Sequence, residues 1–363
     1  MTTTTRPQST GSAGDGPQAQ RSIRGGSLPR YAPPAVLAVS ALVASGALFA
    51  LGSFHLVTAG LITAALYAVV VGAASATVEN SRKAKDRLVT AVVYICFGTA
   101  MLPLVSLLAT VVLEGITRLD GYFLTVSMNG VTPSMDAGGV YHAIVGTVAI
   151  TGLAALISIP IGLFTAIYLV EYGRGRLAKA ITFFVDVMTG IPSIVAGLFV
   201  VALWMALFGP GETNGAAGAV ALSVLMIPVV VRSSEEMLRL VPQELREASY
   251  ALGVPKWLTI VKVVLPTAVA GLTTGIMLAL ARVIGETAPL VLTAGSSAVA
   301  INWNLFNGQM MSLPVFIYSQ VRMGGAVNME RAWAAALTLI AIVMLLFLAA
   351  RLISRLFAPK LGR

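Results

Sequence analysis

Charge is what this sequence has least of: 11% of its 363 residues are Asp, Glu, Lys or Arg, against 57% hydrophobic. Soluble domains carry roughly 25% charged residues, so a chain this poor in charge cannot cover the surface of a water-soluble globule. Cysteine is nearly absent as well. Cys96 stands alone inside an apolar run, which excludes a disulfide framework and a thiolate metal cluster. Two histidines, His55 and His142, are too few for a histidine metal site, so no metal centre is expected. The pattern G-x-x-x-x-G-K-[ST] is also missing, so the chain has no phosphate loop of its own for ATP.

What is present are long apolar blocks. Uncharged runs of about 18 residues or more mark membrane-spanning helices. Eight candidates follow one another: Ala35 to Leu51, Leu56 to Val78, Leu88 to Leu113, Ala143 to Val170, Ile181 to Phe208, Gly215 to Val231, Thr267 to Thr293, and Ala332 to Ala350. The first and sixth are the shortest. The expected fold class is an all-α polytopic membrane protein. Residues 1–34, rich in Thr, Ser, Gly and Gln, read as a disordered cytoplasmic tail. No A-x-A site follows the first block, which argues against a cleaved signal. The first two spans form a hairpin across Gly52 to His55, and the basic stretch Ser81 to Arg87 reads as a solvated linker. The expected organisation is therefore a tail (1–34), an accessory hairpin with its linker (35–87) and a six-helix domain (88–363).

The formal charge is +9. In a membrane protein such an excess sits in cytoplasmic loops. With both termini inside, 20 of the 24 basic residues fall on the cytoplasmic side; only Arg118, Arg322 and Arg331 lie outside, and Arg282 lies within a span. That split predicts cytoplasmic termini and explains the basic excess without nucleic acid.

The longest inside loop, 232–266, carries helix punctuation. Pro242 suits a first helical position and Gly253 a left-handed stop, which predicts a helix from Pro242 to Leu252. Leu245, Ala248 and Leu252 form its apolar stripe, with Arg246 and Glu247 beside it. A second helix is predicted from Pro255 and passes at Pro266 into the next span. On physical grounds alone, such a hairpin could rest on lipid headgroups.

Within the seventh span, Arg282 and Glu286 are four residues apart and are expected to share one helix face. Each charge costs about 3 kcal/mol at the bilayer centre, so the pair marks either function or a structural ion pair. An arginine fork suits a tetrahedral oxyanion. Asp186 is expected to snorkel or to pair with Lys179. Gly190, Pro192 and Ser193 read as a packed kink or an unwound turn. Trp303, Phe306 and Phe316 read as an interfacial belt.

Two sets of motifs carry a family resemblance. Glu247, Ala248 and Ser249, then Gly253, then Val263, Leu265 and Pro266 resemble the E-A-A, G, I-x-L-P signature of ATP-binding-cassette importer permeases; Ser249 replaces the second alanine and Val263 the isoleucine. The string R-x-I-G-E-T-A-P-L from Arg282, TGIPSIV from Thr189 and VRSSEEMLRLVP from Val231 are similar to phosphate-importer permeases, the PstA type more than the PstC type.

The resemblance implies a six-helix type I importer core over residues 88–363, with the amino-terminal two-helix hairpin outside it. It implies that the loop is a coupling helix docking in an ATPase groove, with Glu247, Ala248, Ser249, Gly253, Leu265 and Pro266 in that machinery. It places Arg282, Glu286 and Arg232 on a phosphate path, with Asp186, Ser193 and Thr287 as weaker candidates. The implied partners are a second, PstC-like permease, a PstB-like ATPase dimer that holds ATP and Mg, a PstS-like extracytoplasmic phosphate-binding protein, inorganic phosphate and membrane lipid. The implied location is the bacterial cytoplasmic membrane. A permease for sulfate, molybdate or phosphonate, or an autonomous secondary anion transporter, remains an alternative.

Overall fold

The computed structural model describes residues 28–29, 31–53, 55–79 and 81–357. The expected tail, apart from its last few residues, and the cations Arg6, Arg21, Arg24, Arg30, Lys360 and Arg363 lie outside the described residues. All regular structure among the described residues is helical, and the chain divides into two compact units, Met1–Ser106 and Leu107–Arg363.

In the first unit, α1 (Ala32–Ala50) and α2 (Leu56–Val78) form the expected hairpin. It turns at Gly52, whose φ of 64° only glycine adopts without strain, and Ser53 N–H donates to the Leu48 carbonyl. The next helix, α3 (Ser81–Gly115), begins earlier than expected. The basic stretch Ser81 to Arg87, expected as a linker, therefore forms its first two turns with most of its side chains exposed, and the boundary between the units falls within this helix.

The reason for the early start is Glu79, buried at the α2–α3 junction with its side chain 1% exposed. It accepts from Ser75 Oγ at 2.6 Å, the Leu28 N–H at 2.8 Å, and Arg87 Nε and Nη2 at 2.9 Å each. The Ser75 hydroxyl, the Leu28 amide and Arg87 hold its carboxyl down at about 2. Three segments close on one carboxylate.

The second unit opens with α4 (Gly121–Thr125) and α5 (Tyr141–Ile167), the latter continued by a π-helical turn, Tyr168–Tyr172. Next come α6 (Gly175–Thr189), α7 (Ser193–Phe208), α8 (Gly215–Arg239) and α9 (Gln243–Ala251). A short α10 (Lys256–Thr259) runs through a second π-helical turn, Ile260–Val264, into α11 (Leu265–Ile284). The chain then forms α12 (Ala288–Thr293), α13 (Leu313–Met323) and α14 (Ala326–Phe357). Among the described residues, seven helical stretches are long and apolar enough to cross a membrane, and α6 with α7 passes only as a pair bent by 108°.

Helix α8 is the hub of this unit. It packs against α5, α7, α11 and α12, and most of its side chains are buried. Its first turns are built from Gly and Ala, so neighbours approach closely; Gly218 faces Leu290, Ala294 and Ile150. The sixth span, expected to be among the shortest, has 25 residues and ends at Arg239. The helix outlasts its apolar run because Arg232, Glu235 and Arg239 pair along its last turns, which moves Arg232 from the expected loop onto a helix.

Two expected spans are broken. In the fifth, Pro192 lacks an N–H and disfavours helical geometry at Ile191, so α6 stops at Thr189 and α7 restarts at Ser193. In the seventh, the Pro289 ring conflicts with a helical carbonyl at Gly285, and the helix stops at Ile284 and resumes at Ala288. Pro103, Pro160 and Pro228 stay within α3, α5 and α8.

The long segment between α12 and α14 was expected as a loop, yet it contains α13. Phe316 on that helix is 1% exposed and meets His142 edge-on at 5.5 Å, so it belongs to the core rather than to an interfacial belt. Trp303 and Phe306 are exposed. Arg331, expected in the same loop, is fully buried in the first turns of α14. Its Nη2 donates to the Met135 carbonyl and to the Ala137 carbonyl at 2.8 Å, and its Nη1 to Asn328 Oδ1 at 2.8 Å.

Glu79→Gln is expected to lower the thermal midpoint of the purified chain at neutral pH. A carboxyl depressed from 4.5 to about 2 stabilises the fold above its ordinary value and loses that effect as pH falls toward 2. The gap between wild type and variant should therefore narrow over that window in thermal melts at stepped pH.

Candidate translocation and coupling site

At the end of α8 the chain turns at Pro242 into α9, and Gly253 stops it with a φ of 76°. The inner face of α9 presents Arg246 and Ser249, three residues apart and both buried. Arg246 Nε and Nη2 donate to Glu171 Oε1 at 3.0 and 2.9 Å, and both side chains are nearly inaccessible. The same guanidinium caps the end of α8, Nη1 donating to the Val241 carbonyl at 2.6 Å and Nη2 to the Leu238 carbonyl at 3.0 Å. Lys256 Nζ donates to the Glu171 carbonyl and lies 4.7 Å from the centre of the Tyr172 ring. Arg246 and Glu171 thus join α9 to the ends of α5 and α8. Neither was singled out in the sequence, where Arg246 reads only as a flank of the apolar stripe; its spacing of three from Ser249 is the available signal.

The outer face of α9 is different. Leu245, Glu247, Ala248 and Leu252 are exposed, Leu252 at 83%, with Trp257 of α10 beside them at 60%. The predicted stripe is present and uncovered. Ser249, expected in the coupling machinery, turns inward: its hydroxyl is buried against Thr259 Oγ1 at 2.8 Å and closes the loop internally. Leu265 packs against the Leu238, Val241 and Val264 cluster, and Pro266 fills the first turn of α11, so these two positions set the loop's exit.

Deeper in the bundle, α8 and α11 run antiparallel, with Gly275 against Ser233 and Gly271 against Met237. Arg282 lies seven residues beyond Gly275, about 10 Å further along the axis at 1.5 Å per residue. That level corresponds to the middle of α8. The expected shared face of Arg282 and Glu286 does not exist, because α11 ends at Ile284 and Glu286 sits in the non-helical turn that follows. Arg282 is exposed and Glu286 half-buried, and neither side chain has a hydrogen bond or ion pair among the described residues.

The two breaks are brought to one level by a close contact. A Cβ at Gly197 would stand 2.8 Å from Pro289 Cα, so α12 lies directly on α7. At the other end of α12, the Thr293 carbonyl accepts from the Asn214 N–H at 3.1 Å, just before α8. The two helices therefore run in the same direction, and Ser193 and Thr287 stand at their neighbouring amino-terminal ends.

Arg232 is in a separate constellation. It pairs with Asp186 of α6 and with Glu235 at 2.8 Å, and Glu235, itself buried, also receives Arg239 at 2.5 Å. Asp186 therefore meets Arg232 rather than Lys179, and Arg232 enters any anion path already countered by two carboxylates.

Replacing Arg246 by Ala leaves Glu171 buried without its counter-ion, a change that destabilises by about 3–5 kcal/mol in comparable buried pairs. Faster cleavage of the α9–α10 segment in limited proteolysis of the purified chain is the expected outcome, and Glu171→Gln in the same background should cost much less than it does alone.

The family model for binding-protein-dependent transport system inner membrane components matches residues 158–363. The phosphate transport system permease protein PstA 1 of Mycobacterium tuberculosis is 50% identical over 275 residues, 75% of this chain and 89% of that protein. The PstA protein of Mycobacterium leprae is 48% identical over 72% of this chain and 86% of its own length, and that of Pasteurella multocida 36% identical over 77% and 97%. A chain of the inward-facing MetNI methionine ABC transporter overlays 61% of this chain and 95% of its own length, with a TM-score of 0.49 and 23% identity. The chain belongs to the family of binding-protein-dependent transport inner-membrane components, and within it to the PstA permeases.

Proposed function

We propose that this chain is one of two membrane subunits of an ATP-driven importer of inorganic phosphate. The observation that carries the proposal is Arg282, an unpartnered arginine at mid-depth beside two helix breaks, in a chain whose relatives at 36–50% identity are phosphate transport permeases. Left against hydrocarbon, Arg282 would cost about 3 kcal/mol or more. Facing a water-lined path shared with a second, PstC-like permease, it meets the anion instead.

In this mechanism the Arg282 fork binds two phosphate oxygens, and the Glu286 carboxylate accepts a hydrogen bond from the P–OH of the partly protonated anion. Sulfate, fully deprotonated at neutral pH, would meet Glu286 with no proton between the two oxygens, which supplies discrimination by repulsion. The amino-terminal ends of α7 and α12, with Ser193 and Thr287, add positive dipole ends near the same level.

Energy enters through α9. Its exposed apolar stripe suits the groove of a PstB-like ATPase subunit holding ATP and Mg, and the Arg246–Glu171 knot passes the motion to α5 and α8 as a rigid unit. A PstS-like binding protein delivers phosphate from the extracytoplasmic side. The Lys and Arg distribution supports cytoplasmic termini, which puts α9 on the ATP side. A secondary transporter would leave the uncovered stripe without a use.

Proteoliposomes containing the full complex test these roles. Phosphate should stimulate ATP hydrolysis, and Arg282→Gln, at normal assembly levels, should lower uptake roughly tenfold to a hundredfold, the worth of a charge-assisted hydrogen bond. Unchanged uptake removes Arg282 from the path. Equal stimulation by sulfate or molybdate would instead make the substrate a broader class of oxyanion, and flux from the isolated chain would make it a secondary transporter. Leu252→Asp, on the exposed stripe, should abolish co-purification of the ATPase subunits while the two permeases stay together.

A further inference from the structure

The first unit, to which neither the proposed transport path nor the coupling loop assigns a role, contains a cavity of about 550 Å³ at the basic end of its hairpin. One face of α3 lines it at helical spacing, through Lys83, Asp86, Arg87, Ala91 and Tyr94. Tyr67 and Val71, four residues apart on α2, form the facing wall. The Glu79 cluster with Ser75, Arg87 and the Leu28 amide makes one end rigid. Arg87 is neutralised there by Glu79, whereas Lys83 has no ion pair or hydrogen bond among the described residues and is exposed.

We infer that this cavity is a binding site for an anionic phospholipid whose headgroup carries hydroxyls, of the phosphatidylglycerol class. The chemistry of the lining selects that occupant. Lys83 supplies a cation for the phosphodiester, and Asp86, one turn on, supplies an acceptor for a headgroup hydroxyl. The aromatic and aliphatic wall of Tyr67, Val71 and Ala91 continues into the apolar surface of the hairpin, where the glycerol backbone and the first acyl carbons lie. Basic pockets between helices at the membrane surface hold lipid headgroups in this way. Free phosphate fits the lining less well, because it would bring no apolar part to the wall of Tyr67, Val71 and Ala91. Such a site fixes the hairpin's depth in the leaflet and makes an ordered lipid part of the assembled protein.

Native mass spectrometry of the full chain, purified with its co-expressed partners in detergent and titrated with phosphatidylglycerol or phosphatidylcholine, tests the site. One phosphatidylglycerol per chain should be retained in preference to phosphatidylcholine. Lys83→Gln should lower that preference roughly fivefold, the weight of one basic residue at a lipid surface, and Lys83→Arg should restore it. Lys85→Gln removes the same charge from the same turn without touching the cavity and should leave the preference intact. Equal retention of phosphatidylcholine, or an equal fall in the Lys85 variant, would overturn a specific site in favour of a diffuse basic surface. Displacement of the lipid by millimolar inorganic phosphate would overturn the lipid in favour of the free anion.

Discussion

Hydrocarbon offers no partner to a backbone amide, and that single constraint organises the second unit. A helix can break inside a membrane only where protein or water receives the freed groups. Among the described residues of this unit the helical path is interrupted at Gly190 to Pro192 and at Gly285 to Thr287, and the two restarted helices pack on one another through Gly197 and Pro289. Each break thereby faces the other. The close approach needs a residue without a side chain at Gly197, and the level at which it occurs sets the depth of Ser193, Thr287 and Glu286 together. The polar groups of the candidate path are placed by the geometry of two interruptions rather than by the face of one continuous helix.

The helical class, the amino-terminal hairpin and the apolar stripe of α9 were legible in the sequence because each rests on a local signal: long uncharged runs, a Gly52 turn, Pro242 and Gly253 at the two ends of a short helix. The helical face expected for Arg282 and Glu286 is absent for an equally local reason: Pro289 forbids a helix that runs on through Gly285. Arg246 with Glu171, Asp186 with Arg232, and Phe316 with His142 were not legible, since each pairs residues far apart in the chain and no periodicity links them. The coupling signature was visible as a string, but its division of labour was not. Ser249, Leu265 and Pro266 hold the loop together, while Glu247, Ala248 and Leu252 face outward.

The basic residues divide along similar lines. Counting them by loop gives an orientation, yet several do more than mark a side of the membrane. Arg87, Arg246 and Arg331 are held by carboxylates or carbonyls and act as knots between segments. A guanidinium suits that task because its planar fork can serve two helix ends at once, as Arg246 does with Glu171 and the final carbonyls of α8. Arg282 uses none of its donors among the described residues. The contrast separates arginines that complete this fold from Arg282, which the fold leaves open within a helix long enough to cross a membrane.

Arg331 also ties early chain to late chain. Its carbonyl acceptors, at Met135 and Ala137, lie 196 and 194 residues upstream, ahead of α5. During synthesis those residues emerge long before α14 does, so their segment has no buried arginine to close on until the last span has entered the membrane. The final steps of assembly at that end of the unit therefore wait for α14, and a product truncated before it would keep its earlier helices while lacking the closure between them.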